Sequence, residues 1–411
     1  MLSPILYTRV PPSLKVLNQL LLPHQTIYDT VTTIQQGYDQ IKQMKVRGAP
    51  AIGLVASLSL AVDLQLKLLN STEDSQVTTI ISSPIELKAF IKKSLDYLNT
   101  SRPTAVNLSL ASEKLWKITC RGLEESLESK EIIERLVDVA VEMLEDDLED
   151  NKNIGKFGGE FILGKIEEDK GETKMISVLT HCNTGSLATS GYGTALGIIR
   201  YLHSQRHLSH AYCTETRPYN QGSRLTAYEL LHDQIPSTLI CDSMVSSLLS
   251  SSVLPHLKSC QVITENSNKI TAIIVGADRI ARNGDTANKI GTYQLAVIAK
   301  HHDVMFIVAA SFTSIDLTIK NGKDIVIEER SEDEVVLVSG ASVNNGGGFK
   351  EAEYESGKII ISKVRVPPTG VKVWNPSFDV TPARLITAIV TEKGVFERRE
   401  GMNEFNLEEF C

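Results

Sequence analysis

Side chains that could act as acid, base or nucleophile stand directly after four short apolar runs in the second half of the sequence. The residues that follow these runs are, in order, Cys182, Glu215, Asp242 and Asp278. A thiol and a carboxyl group that share a pocket could serve as base or nucleophile and as proton donor. Each also has a structural interpretation, because cysteine is commonly a small buried apolar residue and aspartate commonly caps a turn.

The neighbours of Cys182 and Asp278 favour a chemical role for both. The stretch 183–186, Asn-Thr-Gly-Ser, is suited to cap a following helix, whose N-terminal dipole would lower the pKa of the Cys182 thiol and attract phosphate. The residues at 274–277 before Asp278 are mostly apolar, so we expect burial to keep its carboxyl group protonated and useful as a general acid.

Three further segments carry cations and backbone amides that suit an anion. Arg47, Gly48 and Ala49 stand before an apolar helical stretch, where a flexible glycine would let backbone amides approach a phosphate closely. Arg102 lies before a proline turn, and Asn288-Lys289 offers a third cation. An ordinary helix-start loop would have the same pattern at 47–49. Together, the three cations could neutralise a phosphate monoester without a metal.

The first part of the chain is predicted to be mostly helical. Apolar residues recur three or four positions apart, as on one face of an amphipathic helix, and the acidic run at 145–151 is predicted to be a solvated helix end or a linker. The predicted helices are 34–44, 52–69, 85–98, 111–127 and 132–147.

The second part alternates short β-branched runs with helical stretches. The predicted strands begin at Met175, His210, Thr238, Ala272 and Val304, and the predicted helices are 188–201, 222–232, 244–249 and 286–300. Such alternation indicates right-handed crossovers and a buried parallel sheet, so the predicted fold class is α/β. Ligands bind at the carboxyl ends of strands in such sheets, which would bring the four candidate residues to one edge.

Composition excludes several classes of protein. A formal charge of −8 gives no basic surface for nucleic acid, and 42% apolar residues allow a sizeable core. The six cysteines have no C-x-x-C spacing and the nine histidines form no H-E-x-x-H, so we predict no metal and no disulfide framework. We find no signal peptide and no run of eighteen apolar residues. We therefore expect no membrane partner and a cytoplasmic protein; the nucleus stays open as a second compartment.

Several long motifs carry a resemblance to a known family. They are RGAPAIG at 47–53, RPTAVNL at 102–108, THCNTGSLATSGYGTALG at 180–197, ETRPYNQGSRLTAYEL at 215–230, GADRIARNGDTANKIGTYQLA at 276–296 and NPSFDVTPARLITAIVTEKGV at 375–395. The chain resembles the methylthioribose-1-phosphate isomerases of methionine salvage, in particular their yeast-type members. The resemblance implies a homodimer without a cofactor, built from a smaller helical N-terminal domain (1–150) and a Rossmann-like C-terminal domain (151–411).

The same resemblance implies the roles of individual residues. Cys182 and Asp278 correspond to the catalytic cysteine and the proton-donor aspartate. The substrate contacts correspond to Arg47, Gly48, Ala49, Arg102, Gln221, Asn288 and Lys289. Tyr219-Asn220 departs from the family pattern, so the resemblance does not assign the contacts at the rim of the site, although Gln221 is retained. The stretch 331–366 is longer than in bacterial relatives and is predicted to be a surface insertion.

The implied reaction converts 5-methylthioribose 1-phosphate, an aldose, into 5-methylthioribulose 1-phosphate, a ketose. Asp278 would protonate the ring oxygen, and Cys182 would assist hydrogen transfer from C2 to C1 by an enediol or a hydride route. Two other functions stay open on the same motifs. One is a regulatory subunit of the translation-initiation nucleotide-exchange factor, which would be expected to lack the pairing of THCNTG with GADRI. The other is a ribose 1,5-bisphosphate isomerase, which would need a second phosphate site.

Overall fold

The structure is a computed structural model that describes residues 2–70, 80–102, 106–170, 175–251, 269–343, 354–355, 358–399 and 401–410. Within the motifs singled out above, residues 103–105 of the RPTAVNL segment and the glycine-rich residues 344–348 lie outside the described residues.

The first part of the chain forms a small antiparallel sheet followed by a helical layer. The strands pair in the order β1, β2, β3. The elements are β1 (Ile5–Thr8), β2 (Ser13–Leu17), β3 (Tyr28–Val31), α1 (Ile34–Lys42), α2 (Ala49–Leu69), α3 (Pro84–Asn99), α4 (Val106–Glu124) and α5 (Ser129–Lys170). Their apolar faces pack into one core. All five predicted helices are present, with boundaries that differ by a few residues except at the end of α5.

Helix α2 is the centre of this core. It begins directly after Gly48, has Pro50 in its first turn and is buried continuously from Ala51 to Leu64. Among the described residues it is the one helix long and apolar enough to cross a membrane, and 72% of its apolar window is buried inside the fold. A helix that is apolar on all sides is expected at the centre of a large core.

The second part of the chain is built on a seven-stranded sheet with the order β18-β17-β10-β7-β4-β5-β6. All of its pairs are parallel except β17 with β18. In chain order the strands are β4 (Ile176–Thr180), β5 (Leu208–Thr214), β6 (Ser237–Ile240), β7 (Ile270–Val275), β8 (Arg279–Ala281), β9 (Thr286–Lys289), β10 (Met305–Ala309), β11 (Ile315–Asp316), β12 (Leu337–Ala341), β13 (Tyr354–Glu355), β14 (Lys358–Ile359), β15 (Ile361–Arg365), β16 (Phe378–Thr381), β17 (Ala388–Thr391) and β18 (Gly394–Glu397). The predicted α/β fold with a parallel sheet is therefore confirmed.

The helices of this part are α6 (Ala195–Ser204), α7 (Ala227–His232), α8 (Val245–Ser250), α9 (Thr292–His301) and the short α10 (Asp333–Val336), which packs beside β12 and not on the large sheet. Two predicted helices were wrong in part. The helix predicted from residue 188 begins only at Ala195, because the φ angle of Gly193, +81°, is incompatible with a right-handed helix. The helix predicted from residue 286 is a buried strand to Lys289, since this segment pairs with Phe378–Thr381.

The acidic run predicted as a domain boundary lies inside helix α5. This helix continues for 42 residues without a break at position 150, so the division of the chain there stays a prediction. The stretch predicted as a surface insertion contains helix α10 and the antiparallel pair of β12 with β15. All residues of β15 are exposed.

Candidate active site

A cavity of about 550 Å³ opens at the carboxyl edge of the large sheet and is walled on its other side by the starts of helices α2 and α4. It brings together all nine residues predicted as site residues, although they come from six separate segments. They are Arg47, Gly48, Ala49, Arg102, Cys182, Gln221, Asp278, Asn288 and Lys289. The thiol and the carboxyl group therefore face one cavity, as the strand-end argument predicted.

Cys182 follows strand β4 in a left-handed backbone conformation, with φ +67°. Its amide donates a hydrogen bond to the Thr216 hydroxyl at 2.9 Å, and its carbonyl accepts one from Thr226. Such a conformation is uncommon for residues other than glycine and persists where the surroundings hold it. These two threonines fix the direction in which the thiol enters the cavity.

Asp242, another strand-end residue, holds the loop that contains Thr216 and Arg217. Its two carboxylate oxygens accept hydrogen bonds from the amides of Thr216 at 2.8 Å and Arg217 at 2.7 Å. Thr216 in turn contacts Cys182. Asp242 is absent from the cavity lining, so its described contacts are structural.

Burial raises the pKa of the Cys182 thiol to about 11, although nearby Lys289 acts in the opposite direction. This corrects the expectation of a lowered pKa. The stretch after Cys182 leads only into a three-residue 3-10 turn at Ser186–Ala188, so no full helix dipole points at the sulfur. The thiol is consequently protonated at neutral pH.

Asp278 lines the cavity. Its side chain is exposed to solvent there, and the cavity walls surround it. Burial raises the pKa of its carboxyl group, against the opposing effect of Arg102, Lys289 and Arg47. Water in an open cavity limits this shift, and a bound substrate that displaces the water strengthens it. The burial of Asp278 thus favours the neutral form of its carboxyl group, while the three neighbouring cations favour the ionised form.

The anion-binding corner is formed by Arg47, Gly48 and Gln221. Gly48 has φ +101°, and a Cβ atom there would lie 2.2 Å from the Ala188 carbonyl oxygen, so only glycine fits. With its amide oxygen turned toward Arg47, Gln221 accepts hydrogen bonds from both Nη atoms at 3.2 Å. Arg47 also stacks on Tyr219, 4.4 Å from the ring centre. Tyr219, the departure from the family pattern, therefore orients this cation.

Lys289 and Arg102 complete the cationic wall. Lys289 ends the buried strand β9, and burial lowers the pKa of its amino group. Burial also lowers the pKa of the Arg102 guanidinium, which stays charged. Asn288 donates a hydrogen bond to Thr292 at 3.0 Å, which ties the strand to helix α9. An anion in the cavity would relieve the mutual repulsion of these cations.

A buried ion pair fixes the loop between Cys182 and helix α6. Glu229 accepts hydrogen bonds from the amides of Ser186 at 2.7 Å and Leu187 at 3.1 Å, and pairs with Arg200 at 2.8 Å. Glu229 is fully buried and Arg200 nearly so. This network could not be predicted from the sequence, because Glu229 and Arg200 resemble ordinary polar positions of two helices.

The sequence reasoning also missed polar residues of the cavity wall. They are Ser109, Thr189, Thr194, Ser311, Ser314 and Glu328. Position after a strand could have indicated Ser311, which follows β10. Glu328 had no such signal, because it lies in a segment without regular secondary structure. In the described part of the chain, no group of three or more His, Cys, Asp or Glu side chains is arranged to hold a metal ion.

Comparisons with known proteins agree on one family. The model of the initiation factor 2 subunit family matches residues 45–398. A protein of Paracoccidioides brasiliensis (strain Pb18) named methylthioribose-1-phosphate isomerase is 50% identical over 398 residues, 96% of each chain. A protein of Oryza sativa subsp. indica with the same name is 49% identical over 409 residues, which cover 100% of this chain and 96% of its own.

Two solved structures resemble the fold along nearly the whole chain. The 5-methylthioribose 1-phosphate isomerase from Pyrococcus horikoshii OT3 has a TM-score of 0.75 and 33% identity, with 97% of this chain and 93% of that chain covered. A structure named as subunit delta of the translation initiation factor eIF-2B from A. fulgidus has a TM-score of 0.73 and 32% identity, with 98% of each chain covered. The fold therefore occurs under both names, and the site must decide between them.

Proposed function

This chain belongs to the initiation factor 2 subunit family, and we propose that within this family it is the aldose–ketose isomerase of methionine salvage. It converts 5-methylthioribose 1-phosphate into 5-methylthioribulose 1-phosphate. Identity of about 50% over nearly the full length with relatives of that name supports this activity. Regulatory subunits with the same fold have weaker support, since the sequence relatives described above carry the enzyme's name.

The observation that carries the proposal is the pairing of Cys182 with Asp278 in one cavity whose wall holds Arg47, Arg102 and Lys289. A sugar 1-phosphate supplies the anion that these cations lack. Its phosphate on C1 also locks the sugar as a ring with no free anomeric hydroxyl. The ring must therefore open by protonation of its own oxygen, which calls for an acid inside the site.

We assign that acid to Asp278. Its neutral carboxyl group donates a proton to the ring oxygen as the bond from C1 to this oxygen breaks, which leaves positive charge at C1. Binding of the phosphate dianion offsets the nearby cations that favour ionisation of Asp278. Substrate binding thus keeps the acid protonated until the ring opens.

Cys182 assists the transfer of hydrogen from C2 to C1. As a base it would take the C2 proton and give an enediol; as a neutral group it would stabilise a hydride shift. A thiol pKa of about 11 leaves little thiolate at neutral pH, which favours the hydride route. In that route the C2 hydrogen moves with its electron pair to C1, and no base is needed to remove the hydrogen bonded to C2.

The decisive experiment adds 5-methylthioribose 1-phosphate to the purified protein and follows the C1 and C2 signals by NMR. We expect a ketose C2 signal to appear as the anomeric signal of the aldose disappears. Ribose 1,5-bisphosphate in a parallel sample tests the related isomerase. If neither sugar phosphate reacts, the protein is a binding subunit and the isomerase assignment is wrong.

Neither a metal nor a cofactor is part of the proposed reaction. The cationic side chains already balance the phosphate charge, and protonation at the ring oxygen needs no Lewis acid. We predict that incubation with a strong chelator, followed by its removal, leaves turnover unchanged. Loss of turnover that a divalent ion restores would contradict this prediction.

We also propose a homodimer in the cytoplasm, with a second population in the nucleus, that binds neither nucleic acid nor membranes. Support for the dimer comes from apolar side chains at one edge of the large sheet: Leu231, Leu239 and Met244 are 78%, 46% and 49% exposed around strand β6. Exposed apolar groups clustered in this way suit a subunit interface. Light scattering at micromolar concentration would measure twice the chain mass.

A further inference from the structure

Glu328 is an ionisable group of the active-site cavity for which neither the motifs nor the reaction above has a use. Among the described lining residues, it and Asp278 are the two acidic side chains. Its side chain lines the same cavity as Asp278 and Arg102, and its negative charge raises the pKa of both groups. A carboxylate on this wall faces the same sugar as the proposed acid.

The position of Glu328 is fixed by its surroundings. Its Oε1 accepts a hydrogen bond from Arg330 Nη1 at 3.0 Å, while Oε2 has no hydrogen-bond partner among the described residues. Its carbonyl accepts a hydrogen bond from the Ser377 amide at 2.9 Å. The next residue but one along that segment is Asp379, in strand β16, which pairs with the strand of Lys289.

The reaction has a requirement that Glu328 meets. As C2 changes from an alcohol to a carbonyl, the oxygen on C2 must lose its proton by either route. In the hydride route, the C2–H electron pair leaves with hydrogen to C1, and the O–H electron pair becomes the second bond of the carbonyl. In the enediol route, the same O–H proton leaves when C1 is protonated. A proton acceptor must therefore stand beside the C2 hydroxyl.

Neither named catalytic group fills this place in its resting form. The raised pKa of Cys182 makes it a neutral thiol at neutral pH, and the reaction proposed above uses the proton of Asp278 at the ring oxygen. The sugar also presents hydroxyl donors, for which an ionised carboxylate is a strong acceptor. Glu328 supplies such an acceptor on the cavity wall, with one oxygen held by Arg330 and the other available.

We propose, on the basis of the isomerase function above, that Glu328 is a third catalytic residue, which binds the C2 hydroxyl and accepts its proton. The steps balance. Asp278 loses one proton to the ring oxygen and Glu328 gains one from the C2 hydroxyl, so the sugar keeps its composition. The two carboxyl groups then exchange this proton through water in the cavity, which restores the enzyme.

The test is the variant Glu328→Gln, which keeps the size of the side chain and removes its basicity. We expect kcat to fall by about 100-fold or more, the range of general base catalysis. We also expect the decline of kcat toward acidic pH to disappear, because this decline reports protonation of the base. A purely structural role would leave the shape of that pH profile unchanged.

Two controls separate chemistry from packing. Glu329→Gln makes the same change at the adjacent exposed residue, and Glu334→Gln removes a partner of Arg330 that lies outside the cavity lining. Both variants should keep kcat within about threefold of the parent. If Glu328→Gln does not fold, Glu328→Asp replaces it, with lowered kcat and a retained acidic decline as the expected result.

The outcomes distinguish this inference from the function on which it rests. If the unmodified protein forms no ketose, both proposals are wrong. If it forms ketose and Glu328→Gln turns over within threefold of it, the isomerase stands and Glu328 is not the base. Asp278 would then accept the C2 hydroxyl proton after it has given up its own.

Discussion

At the scale of single residues, the types of the site residues could be predicted but their electrostatics could not. Cys182 was found from its place after a strand, because the carboxyl ends of parallel strands meet at one edge. Its pKa depends on burial and on Lys289, more than a hundred positions away in sequence. Glu328 was not predicted for the same reason, since only folding brings it to the cavity that Asp278 and Arg102 line.

Substitution of either catalytic residue should remove activity and leave the fold intact. We expect Asp278→Asn and Cys182→Ser each to lower kcat by about 10² to 10⁴, because each removes a group that acts on the reacting atoms. Steady-state kinetics with the NMR assay would measure this. The matched controls are Asp324→Asn and Cys120→Ser, whose side chains lie outside the cavity lining. Near-normal kcat in either active-site variant would contradict the assignment.

At the scale of secondary structure, the sequence predicted which elements exist better than where they end. Helix α2 was recognised because its apolar positions repeat without interruption. Strand β9 was taken for a helix, since a four-residue buried segment such as Thr286–Lys289 has no period that separates strand from helix. Its pairing with Phe378–Thr381, ninety residues later, is what makes it a strand.

The buried pair of Glu229 with Arg200 gives a prediction at this scale. Glu229→Ala removes the acceptor for two loop amides and leaves Arg200 without that partner. We expect the free energy of unfolding to fall by about 1–3 kcal/mol, because two buried amides lose their acceptor while Arg200 keeps Asp233 as its ion-pair partner. Urea unfolding would measure the change. Lys92→Ala, which breaks an exposed pair with Asp96, should change it by at most about 1 kcal/mol.

At the scale of the whole molecule, the α/β class followed from the alternation of strands and helices, whereas the way in which the two parts join did not. The acidic run 145–151 was predicted to be a solvated helix end, yet Asp147 is half-buried beside the loop that contains Ser190. It accepts a hydrogen bond from the Ser190 amide at 2.7 Å. Sequence polarity could not reveal that this aspartate faces inward from a continuous helix.

The contact of Asp147 with this loop makes stability depend on pH. Burial raises the pKa of Asp147 from its ordinary value near 3.8 to about 6. Stability from its protonated form is therefore complete below pH 3.8 and is lost as pH rises through about 6. We expect the free energy of unfolding of Asp147→Asn, relative to that of the parent protein, to increase by about 1–3 kcal/mol between pH 4 and pH 7. Chemical unfolding of both proteins at pH 4 and pH 7 measures these free energies. The same difference between variant and parent at both pH values would contradict the pKa shift.

The 42 residues of helix α5 belong to both parts of the molecule. The first half of the helix packs in the helical core through Ile132 to Ala140, and its later turns pack beside the sheet through Ile154 and Ile162. Melting of either core would leave half of this helix without a packing partner, and an isolated helix segment is barely stable in water. The chain should consequently denature in one cooperative step, with loss of helical signal and loss of substrate turnover at the same midpoint.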